Sequence, residues 1–194
     1  MREKTDELIL KTAIDLFKQK GYSNVTMREI CTACGISKGT FYNHFNTKED
    51  LILNYYQLLS NDMMRIMPDL LENKPIIEKV WSCLEYFIDN TISLGPDLLK
   101  NLIEIDMNSG CSVFSPYLEE RSAYERVFIK MELELISQGQ KAGKIRKDID
   151  AKDLLWHFSA TLMGIAMHWS SSGGKYDEKK ELRKLFDQIF IKPF

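Results

Sequence analysis

The chain has 194 residues, of which 44% are hydrophobic and 28% charged, and its formal net charge at pH 7 is −2. This composition allows one or two domains with a buried core and gives no sign of disorder. The N-terminal run MREKTDE is charged where a signal peptide would be apolar, and no stretch has the roughly 18 uninterrupted apolar residues of a membrane span. We therefore expect a cytoplasmic protein without a membrane partner.

Charge is unevenly distributed along the chain. Between positions 18 and 48, one acidic residue, Glu29, stands among five basic residues, which are Lys18, Lys20, Arg28, Lys38 and Lys48. A local charge of +4 in a mildly acidic chain is typical of a small region that meets a polyanion.

Apolar residues recur at spacings of three and four along nearly the whole chain, and no segment alternates as a strand would. The sequence therefore predicts an all-α fold of about nine helices, separated by prolines and glycines. The predicted helices cover residues 4–20, 26–33, 37–43, 47–67, 75–94, 97–108, 117–141, 151–170 and 177–191. Because short helices give way to longer ones near residue 46, we expect domains at 1–46 and 47–194, with the fourth helix serving both.

The second and third predicted helices carry start and stop signals in close succession. Thr26 and Glu29 form a capping box at the start of the second helix, and Gly35 ends it with a left-handed turn. Ser37 then caps the third helix, next to a pair of apolar residues at the positions of a hydrophobic staple. Two short helices joined so tightly are typical of a helix-turn-helix.

The third predicted helix, within the stretch ISKGTFYNHF, has few apolar residues, so its polar side chains need a partner outside the protein. The residues left on its outer side or rim are Lys38, Gly39, Thr40, Tyr42, Asn43 and His44. Lys38 can donate to guanine or phosphate, and Thr40 and Asn43 can reach base edges or backbone. The Tyr42 hydroxyl can reach a phosphate, and Gly39 lets the helix N-terminus approach closely. The sequence thus predicts a helix that lies in the major groove of duplex DNA.

The run TMREICTACGISKGTFYNHFNTKEDL, preceded by LFKQKGY, resembles the DNA-binding domain of the tetracycline-repressor (TetR) family. The match extends over residues 16–51. The resemblance implies an N-terminal three-helix DNA-binding domain and a C-terminal helical domain for ligand binding and dimerisation. It implies that the residues that contact phosphates are Thr26, Ser37, Thr40, Tyr42 and Lys48. It further implies that the residues that meet bases are Lys38, Gly39, Asn43 and His44.

The remaining residues, 52–194, resemble the family's ligand-sensing domain in helix count and layout more than in sequence. The run QKAGKIRKDID resembles the joint that precedes the dimerising helix in the family.

The cysteines and histidines raise the question of a metal or redox site. Four cysteines are too few and scattered for a disulfide scaffold, so reduced thiols are expected. Cys31 and Cys34 replace alanines that are usual in the family and could be half a zinc site or a redox pair, but no second pair follows. His157 and His168 lie three helical turns apart, which is too far for two ligands of one ion. We expect packing roles for these residues, and neither a metal nor a cofactor.

The last two predicted helices are the expected interface of a symmetric homodimer. A single short recognition helix gives little affinity, whereas two of them one DNA turn apart read a palindromic operator. Apolar residues on the two helices exceed what a single-chain core needs, so two helices from each subunit would form a four-helix bundle. The expected interface residues are Leu155, Phe158, Leu162, Ile165, Trp169, Leu182, Leu185, Phe186 and Ile189.

Methionines and aromatic residues are frequent on the apolar faces of the fourth to eighth predicted helices. Such side chains fill a core or adapt to a flexible apolar guest, and both interpretations stay open. A cavity for a small, largely apolar effector would be lined by Met63, Met67, Trp81, Leu84, Phe87, Ile103, Met107, Phe128, Met131 and Trp156. This lining has no cluster of fixed charges. A filled cavity would move the fourth helix and change the spacing of the two recognition helices.

These features together predict a ligand-responsive DNA-binding transcriptional regulator, a repressor released from a palindromic operator by a small apolar molecule. An alternative is a helix-turn-helix regulator or DNA-organising protein controlled by a protein partner, with no small-molecule site. An enzyme is disfavoured, because there are three histidines, no glycine-flanked serine nucleophile and no phosphate loop. A sizeable cavity would distinguish the first two hypotheses.

Overall fold

The structure, a computed structural model, describes residues 2–61, 66–109 and 123–191. Within these ranges it consists of helices and connecting turns, and the predicted all-α fold is confirmed. The helices are α1 (Arg2–Lys20), α2 (Met27–Cys34), α3 (Lys38–Tyr42), α4 (Lys48–Asn61), α5 (Met67–Leu71), α6 (Ile76–Leu94), α7 (Pro96–Ser109), α8 (Ala123–Lys141), α9 (Ala151–Ser171) and α10 (Glu178–Phe190). A single 3₁₀ turn, Tyr22–Asn24, follows α1.

The predicted fourth helix, 47–67, differs most from the structure. α4 is described as far as Asn61, residues 62–65 of the predicted helix lie outside the described residues, and a separate helix of little more than one turn, α5, begins at Met67 with Pro68 in its first turn. A proline fits the first turn of a helix because the N–H that it lacks would have no partner there. The sequence analysis places prolines between helices, so it does not predict α5, and the described part of the chain has ten α-helices where about nine are predicted.

One hydrophobic core joins the N-terminal helices to the rest of the molecule. Buried residues of α1 to α4, among them Phe17 and Phe41, belong to the same cluster as Leu99 of α7 and Trp169 of α9. Apolar packing therefore continues across residue 46, where we expected a domain boundary. The division into domains at 1–46 and 47–194 stays a prediction.

A second core lies between α6, α8, α9 and α10. At its centre, the Phe158 ring lies 5.9 Å from the Phe186 ring and 6.0 Å from the Phe190 ring, measured between centroids. On the surface of this core, Arg183 of α10 donates two hydrogen bonds, of 2.8 and 2.6 Å, to the carboxylate of Glu78 on α6. Packing and bidentate pairing together fix α10 on α6.

A third, smaller cluster lies between α5, α6 and α8, with Cys83 and Phe128 buried at its centre. No helix within the described ranges combines the length and the apolar composition needed to cross a membrane.

Candidate nucleic-acid interface

The start of α2 is closed by a capping box, as the sequence predicts. The Thr26 hydroxyl accepts a hydrogen bond of 3.3 Å from the Glu29 N–H, and the Glu29 carboxylate accepts one of 2.8 Å from the Thr26 N–H. This backbone bond, aided by hydrogen bonds from Lys20 and from the Thr26 hydroxyl, lowers the pKa of Glu29 to about 2. The first turn of α2 is therefore locked at neutral pH.

The turn between α2 and α3 depends on Gly35 and Ser37. Gly35 has φ 67° and ψ 29°, the left-handed conformation that residues with a side chain rarely adopt. The Ser37 hydroxyl then caps α3 by accepting a 3.0 Å hydrogen bond from the Thr40 N–H. Phe41, with no exposed surface, anchors the helix in the core. These contacts hold the short α3 in one orientation, although few of its residues are apolar.

The outer face of α3 is exposed where the sequence places it. Ser37, Lys38, Gly39, Tyr42 and Asn43 are exposed, and half of the Tyr42 surface (50%) is accessible. Thr40 is half-buried, and Thr26 is exposed at the start of α2. Seven of the nine predicted DNA-binding residues thus lie on or beside the helix-turn-helix surface without being enclosed by the protein.

Lys48, the eighth, is engaged by the protein itself. Its ammonium donates to the carbonyl oxygens of Tyr22 (2.7 Å) and Val25 (3.2 Å) and lies 4.0 Å from the centroid of the Tyr22 ring. The Tyr22 hydroxyl in turn donates to Glu49 at 3.1 Å, and burial is the main reason that its pKa is raised. Lys48 therefore fastens the start of α4 to the connection between α1 and α2. An ammonium has three donors, so one remains beyond these two hydrogen bonds.

His44, the ninth, is mostly enclosed, since only 13% of its side chain is exposed. Its Nδ1 lies 2.5 Å from the Asp6 Oδ1 of α1. Part of the ring borders an open groove of about 370 Å³ between α1 and α4. The sequence pattern around the recognition helix gave no sign of this pairing, because the two residues are 38 positions apart.

The positive charge available to a polyanion is smaller than the count along the sequence suggests. Lys18 donates to a backbone carbonyl of α6 at 2.6 Å, and Lys20 pairs with a carboxylate of α2 at 2.9 Å. Lys48 is engaged as described above, whereas Arg28 and Lys38 are exposed. Lys18 and Lys20 are also exposed, but their ammonium groups are engaged by the protein, which leaves Arg28 of α2 and Lys38 of α3 to face a polyanion.

The two cysteines of the helix-turn-helix are free thiols, Cys31 buried and Cys34 half-buried. Burial raises the pKa of the Cys34 thiol. In the described part of the chain, no three His, Cys, Asp or Glu side chains are grouped so that they could hold a metal ion. Cys111 lies outside the described residues. The packing role assigned to Cys31 and Cys34 stays a prediction.

The structure does not bring the residues of the predicted effector cavity together into one wall. Phe87, Phe128 and Met131 belong to the third cluster, with the two phenyl rings 5.1 Å apart. Trp81 and Leu84 are buried in the second core instead, where the Trp81 ring lies 5.3 Å from that of a phenylalanine of α10.

The other predicted lining residues are scattered. Ile103 is buried in the first core, but Met107 is 69% exposed and Trp156 is 40% exposed. Met67 is half-buried at the start of α5, and Met63 lies outside the described residues. Helical periodicity finds the apolar face of a helix but not the neighbour which that face meets, so residues of different clusters were combined in the prediction.

The interior also contains acidic residues that the sequence analysis missed. Asp106 of α7 and Glu132 of α8 are each only 4% exposed. Burial, followed by the charge of Glu132, raises the pKa of Cys83. A signal was available, since Glu132 lies four residues from both Phe128 and Ile136 and so shares their apolar stripe. Neither residue is in the predicted lining, and the expectation of a lining without a cluster of fixed charges stays a prediction.

The predicted dimer residues divide into two groups. Five are enclosed within the single chain, each at most 7% exposed: Leu155, Phe158, Trp169, Leu182 and Phe186. Their burial needs no second subunit, because the second core encloses four of them and the first core encloses Trp169. The other four are half-buried: Leu162, Ile165, Leu185 and Ile189. The exposed face of α9 includes a stripe of Trp156, Ala160, Gly164 and Met167, bordered by the exposed His157 and His168, which the sequence analysis did not assign to the interface.

Residues 9–55, which include α2 and α3, match the sequence model of the bacterial regulatory proteins, tetR family. The uncharacterized HTH-type transcriptional regulator YerO of Bacillus subtilis (strain 168) is 46% identical over 110 residues, which make up 53% of this chain and 38% of that protein. The chain thus spans well under half of the length of this curated relative.

Two further relatives match over most of the chain. The HTH-type transcriptional repressor KstR2 of Rhodococcus jostii (strain RHA1) is 25% identical over 173 residues, 86% of this chain and 79% of the repressor. The solved structure of Thermus thermophilus FadR, a TetR-family transcriptional repressor in complex with lauroyl-CoA, has the same fold, with a TM-score of 0.61. The two sequences are 21% identical, and the match covers 95% of this chain and 92% of the FadR chain. Residues 9–55 thus match the tetR family of bacterial regulatory proteins, and the chain as a whole has the fold of a solved repressor of that family.

Proposed function

We propose that the chain is a transcriptional repressor that binds a palindromic operator as a homodimer and is released by a small, largely apolar molecule. The observation that carries the DNA-binding part is the exposed outer face of α3. This face is held by the Ser37 cap and the left-handed turn at Gly35, and its polar side chains have the right chemistry for a major groove.

Phosphates and bases would be contacted by different parts of this face. For the phosphates we propose the exposed or half-buried hydroxyls of the helix-turn-helix and the third donor of the Lys48 ammonium, namely Thr26, Ser37, Thr40, Tyr42 and Lys48. For the bases we propose Lys38, Gly39, Asn43 and the free edge of His44. A protein that binds the bacterial chromosome would act in the cytoplasm, and we propose no catalytic role.

The DNA-binding proposal is tested with duplex DNA from the chain's own promoter region. Tyr42→Phe and Lys38→Ala should each weaken binding by about 1 kcal/mol or more, because each removes a contact to DNA. Lys141→Ala, at the exposed end of α8, is the matched control and should bind like the wild type. Undiminished affinity of the Tyr42→Phe, Lys38→Ala double variant would place the binding surface elsewhere.

For the homodimer we propose the exposed stripe of α9, together with half-buried residues beside it. A side chain added at Gly164 would meet no atom within 4 Å, so the surface above this helix is open to a partner helix. Ala160 lies one turn from Gly164, so the side chains at the middle of the stripe are small, whereas Trp156 and Met167 at its ends are large and apolar. Small residues at the middle let a partner helix approach closely. Ala160→Glu should give monomers in sedimentation, and Lys141→Glu should leave the dimer intact. A dimer that survives Ala160→Glu would assign the interface to another face.

Effector release would act through α4, which starts at Lys48. The Leu59 carbonyl near its other end accepts hydrogen bonds from Tyr86 and, at 3.4 Å, from Asn90, both on α6. Phe87, next to Tyr86, belongs to the third cluster. A ligand that displaces the rings of this cluster would shift α6, and α4 would carry the shift to the helix-turn-helix.

The effector class is tested with lauroyl-CoA and lauric acid as probes. The structure of Thermus thermophilus FadR is a complex with lauroyl-CoA, so compounds with an acyl group are the first effector class that we propose to test on this protein. The buried Asp106 and Glu132 disfavour an anionic head group inside the bundle, so the acyl chain alone would enter. We expect at least one probe to raise the melting temperature and to weaken operator binding.

Control by a protein partner is the second candidate. It is favoured by the open groove of about 380 Å³ between α7 and α9, where the apolar side chain of Met107 is 69% exposed. If no acyl compound changes operator affinity and Met107→Asp impairs regulation in cells, this second function replaces the first.

A further inference from the structure

One contact links the first turns of α1 to the residues that follow the recognition helix. Asp6 Oδ1 and His44 Nδ1 are 2.5 Å apart, and 34% of the Asp6 side chain and 13% of the His44 side chain are exposed. The His44 N–H also donates to the Phe41 carbonyl at 2.9 Å, and Phe45 beside it is buried. Backbone and ring are thus both held, in direct continuation of the exposed Tyr42 and Asn43.

The chemistry of the pair fixes which edge of the imidazole can act outside the protein. An ionised carboxylate only accepts hydrogen bonds, so Nδ1 must carry a proton whether the ring is neutral or charged. The remaining edge is that of Nε2, and the ring borders the open groove between α1 and α4. In the neutral ring Nε2 accepts from the amino group of adenine or cytosine, and in the charged ring it donates to guanine or to a phosphate.

We propose that Asp6 is a positioning residue for operator recognition, which holds His44 in one tautomer and orientation so that its Nε2 edge reads a base pair beside the recognition helix. This inference rests on the proposed DNA-binding function. Without the carboxylate, the ring can exchange tautomers and rotate, and its preference for one base is lost although the ring is still present.

Asp6 has two neighbours of like charge on α1, Glu3 and Glu7, which also border the groove. Negative charge this close to DNA repels phosphates whatever the base sequence. A purely electrostatic effect of Asp6 would therefore change affinity for all duplexes alike. A positioning effect changes the preference among base pairs, and it requires His44. This difference makes the proposal testable.

The experiment measures binding of the full chain to duplexes from its own promoter region. The segment that the chain protects from nuclease cleavage is located first, and each base pair in it is then replaced in turn. Asp6→Ala and His44→Gln should each reduce the preference at one base pair per half-site by about tenfold. The double variant should lose no more than either single one. Asp6→Asn should stay within about twofold of the wild type, because the amide oxygen accepts the same Nδ1–H bond.

Glu7→Ala is the matched control, since it removes a charge from the adjacent position and leaves the Asp6–His44 contact in place. It should raise the affinity for every duplex and leave base preference unchanged. The proposal is overturned if Asp6→Ala behaves like Glu7→Ala, or if the double variant loses more than either single one. If Lys38→Ala weakens binding but Asp6→Ala leaves the preference among base pairs unchanged, the positioning role of Asp6 is rejected while the DNA-binding function stands. A wild-type chain that binds no duplex would reject the proposed function and this inference together.

Discussion

At the scale of single residues, substitutions of Lys48 and Lys38 should differ in their effect on folding stability. Lys48→Ala leaves two backbone carbonyls without their ammonium partner, so we expect the free energy of unfolding to fall by about 1–3 kcal/mol. Lys38→Ala removes an exposed side chain and should change it by less than about 0.5 kcal/mol, although it weakens operator binding. Urea denaturation of both variants measures the difference. Equal stabilities would mean that the Lys48 contacts contribute nothing to the fold.

Glu178 makes stability depend on pH. It is 2% exposed, neither carboxylate oxygen has a hydrogen-bond partner among the described residues, and burial raises its pKa from 4.5 to about 7. The folded chain thus binds this proton more tightly than the unfolded chain. The contribution to stability is fully present below pH 4.5 and is lost as the pH rises through about 7.

Glu178→Gln keeps the size of the side chain but cannot ionise. We expect the variant to exceed the wild type in unfolding free energy by about 1–3 kcal/mol near pH 8, with the advantage disappearing near pH 4. Thermal denaturation at several pH values provides the measurement, and Glu181→Gln on the more exposed side of the same helix is the control. An advantage that does not vary with pH would exclude titration of Glu178 as its cause.

Local sequence signals predicted the caps of the helix-turn-helix but not the partners of Lys48 and His44. The Thr26 capping box, the left-handed Gly35 and the Ser37 cap each depend on residues at most four positions apart. Lys48, by contrast, meets carbonyl oxygens 23 and 26 positions away. Such contacts depend on how the helices pack, and no pattern in the sequence encodes them.

At the scale of elements, two glycines of the helix-turn-helix should respond to alanine in opposite ways. Gly35→Ala places a side chain in the left-handed turn and should cost about 1–2 kcal/mol of stability. Gly39 lies within α3, and a Cβ there would meet only the Ser37 hydroxyl at 3.8 Å, so Gly39→Ala should stabilise the chain by about 0.5–1 kcal/mol.

The same two variants should reverse their order in operator binding. The added methyl group of Gly39→Ala lies where α3 approaches DNA, so it should weaken binding although the protein is more stable. Gly35→Ala should bind according to its folded fraction. Denaturation and binding curves on the same preparations test both statements, and tight operator binding by Gly39→Ala would remove Gly39 from the interface.

Element boundaries show where periodicity stops being informative. The boundaries of α6, α7, α9 and α10 differ from the predicted ones by at most one residue at each end, because these helices are long and end at glycines, capping residues or loops. The short α5 has little more than one turn, too few residues for a periodic pattern. The predicted helix 117–141 corresponds to α8 from Ala123 onward, and residues 117–122 lie outside the described part of the chain.

At the scale of the whole molecule, the salt dependence of operator binding should report how many cations the dimer brings to DNA. Arg28, Lys38 and Lys48 in each of two subunits would release about six counterions, so log K should fall against log salt with a slope of about −5. Lys38→Ala should reduce this slope by about 2, one unit for each subunit, whereas Lys141→Ala should leave it unchanged. A slope near −2 would point to a monomer or to a smaller contact surface.

Packing between helices was the least predictable level. The sequence identified apolar faces on α6 to α10 but assigned Phe158 and Phe186 to a second subunit, whereas the single chain buries both completely. An apolar stripe has the same appearance in a sequence whether it meets its own chain or a partner. The exposed stripe of α9 escaped notice for the opposite reason, because Ala160 and Gly164 carry little hydrophobic surface.

The core that runs from α1 to α7 and α9 limits how this protein can be re-engineered. Leu99 and Trp169 lie in the same cluster as Phe17 and Phe41, so residues 1–46 produced alone would expose apolar surface that is normally covered. We expect this fragment to aggregate or to stay partly unfolded. A chimera that replaces residues 1–46 by the corresponding segment of a relative would fold only if the residues of α7 that face this segment were exchanged as well. To transfer DNA specificity, two surfaces would therefore have to be moved together: the one that contacts DNA, and the apolar one on α7 that keeps the DNA-binding segment folded.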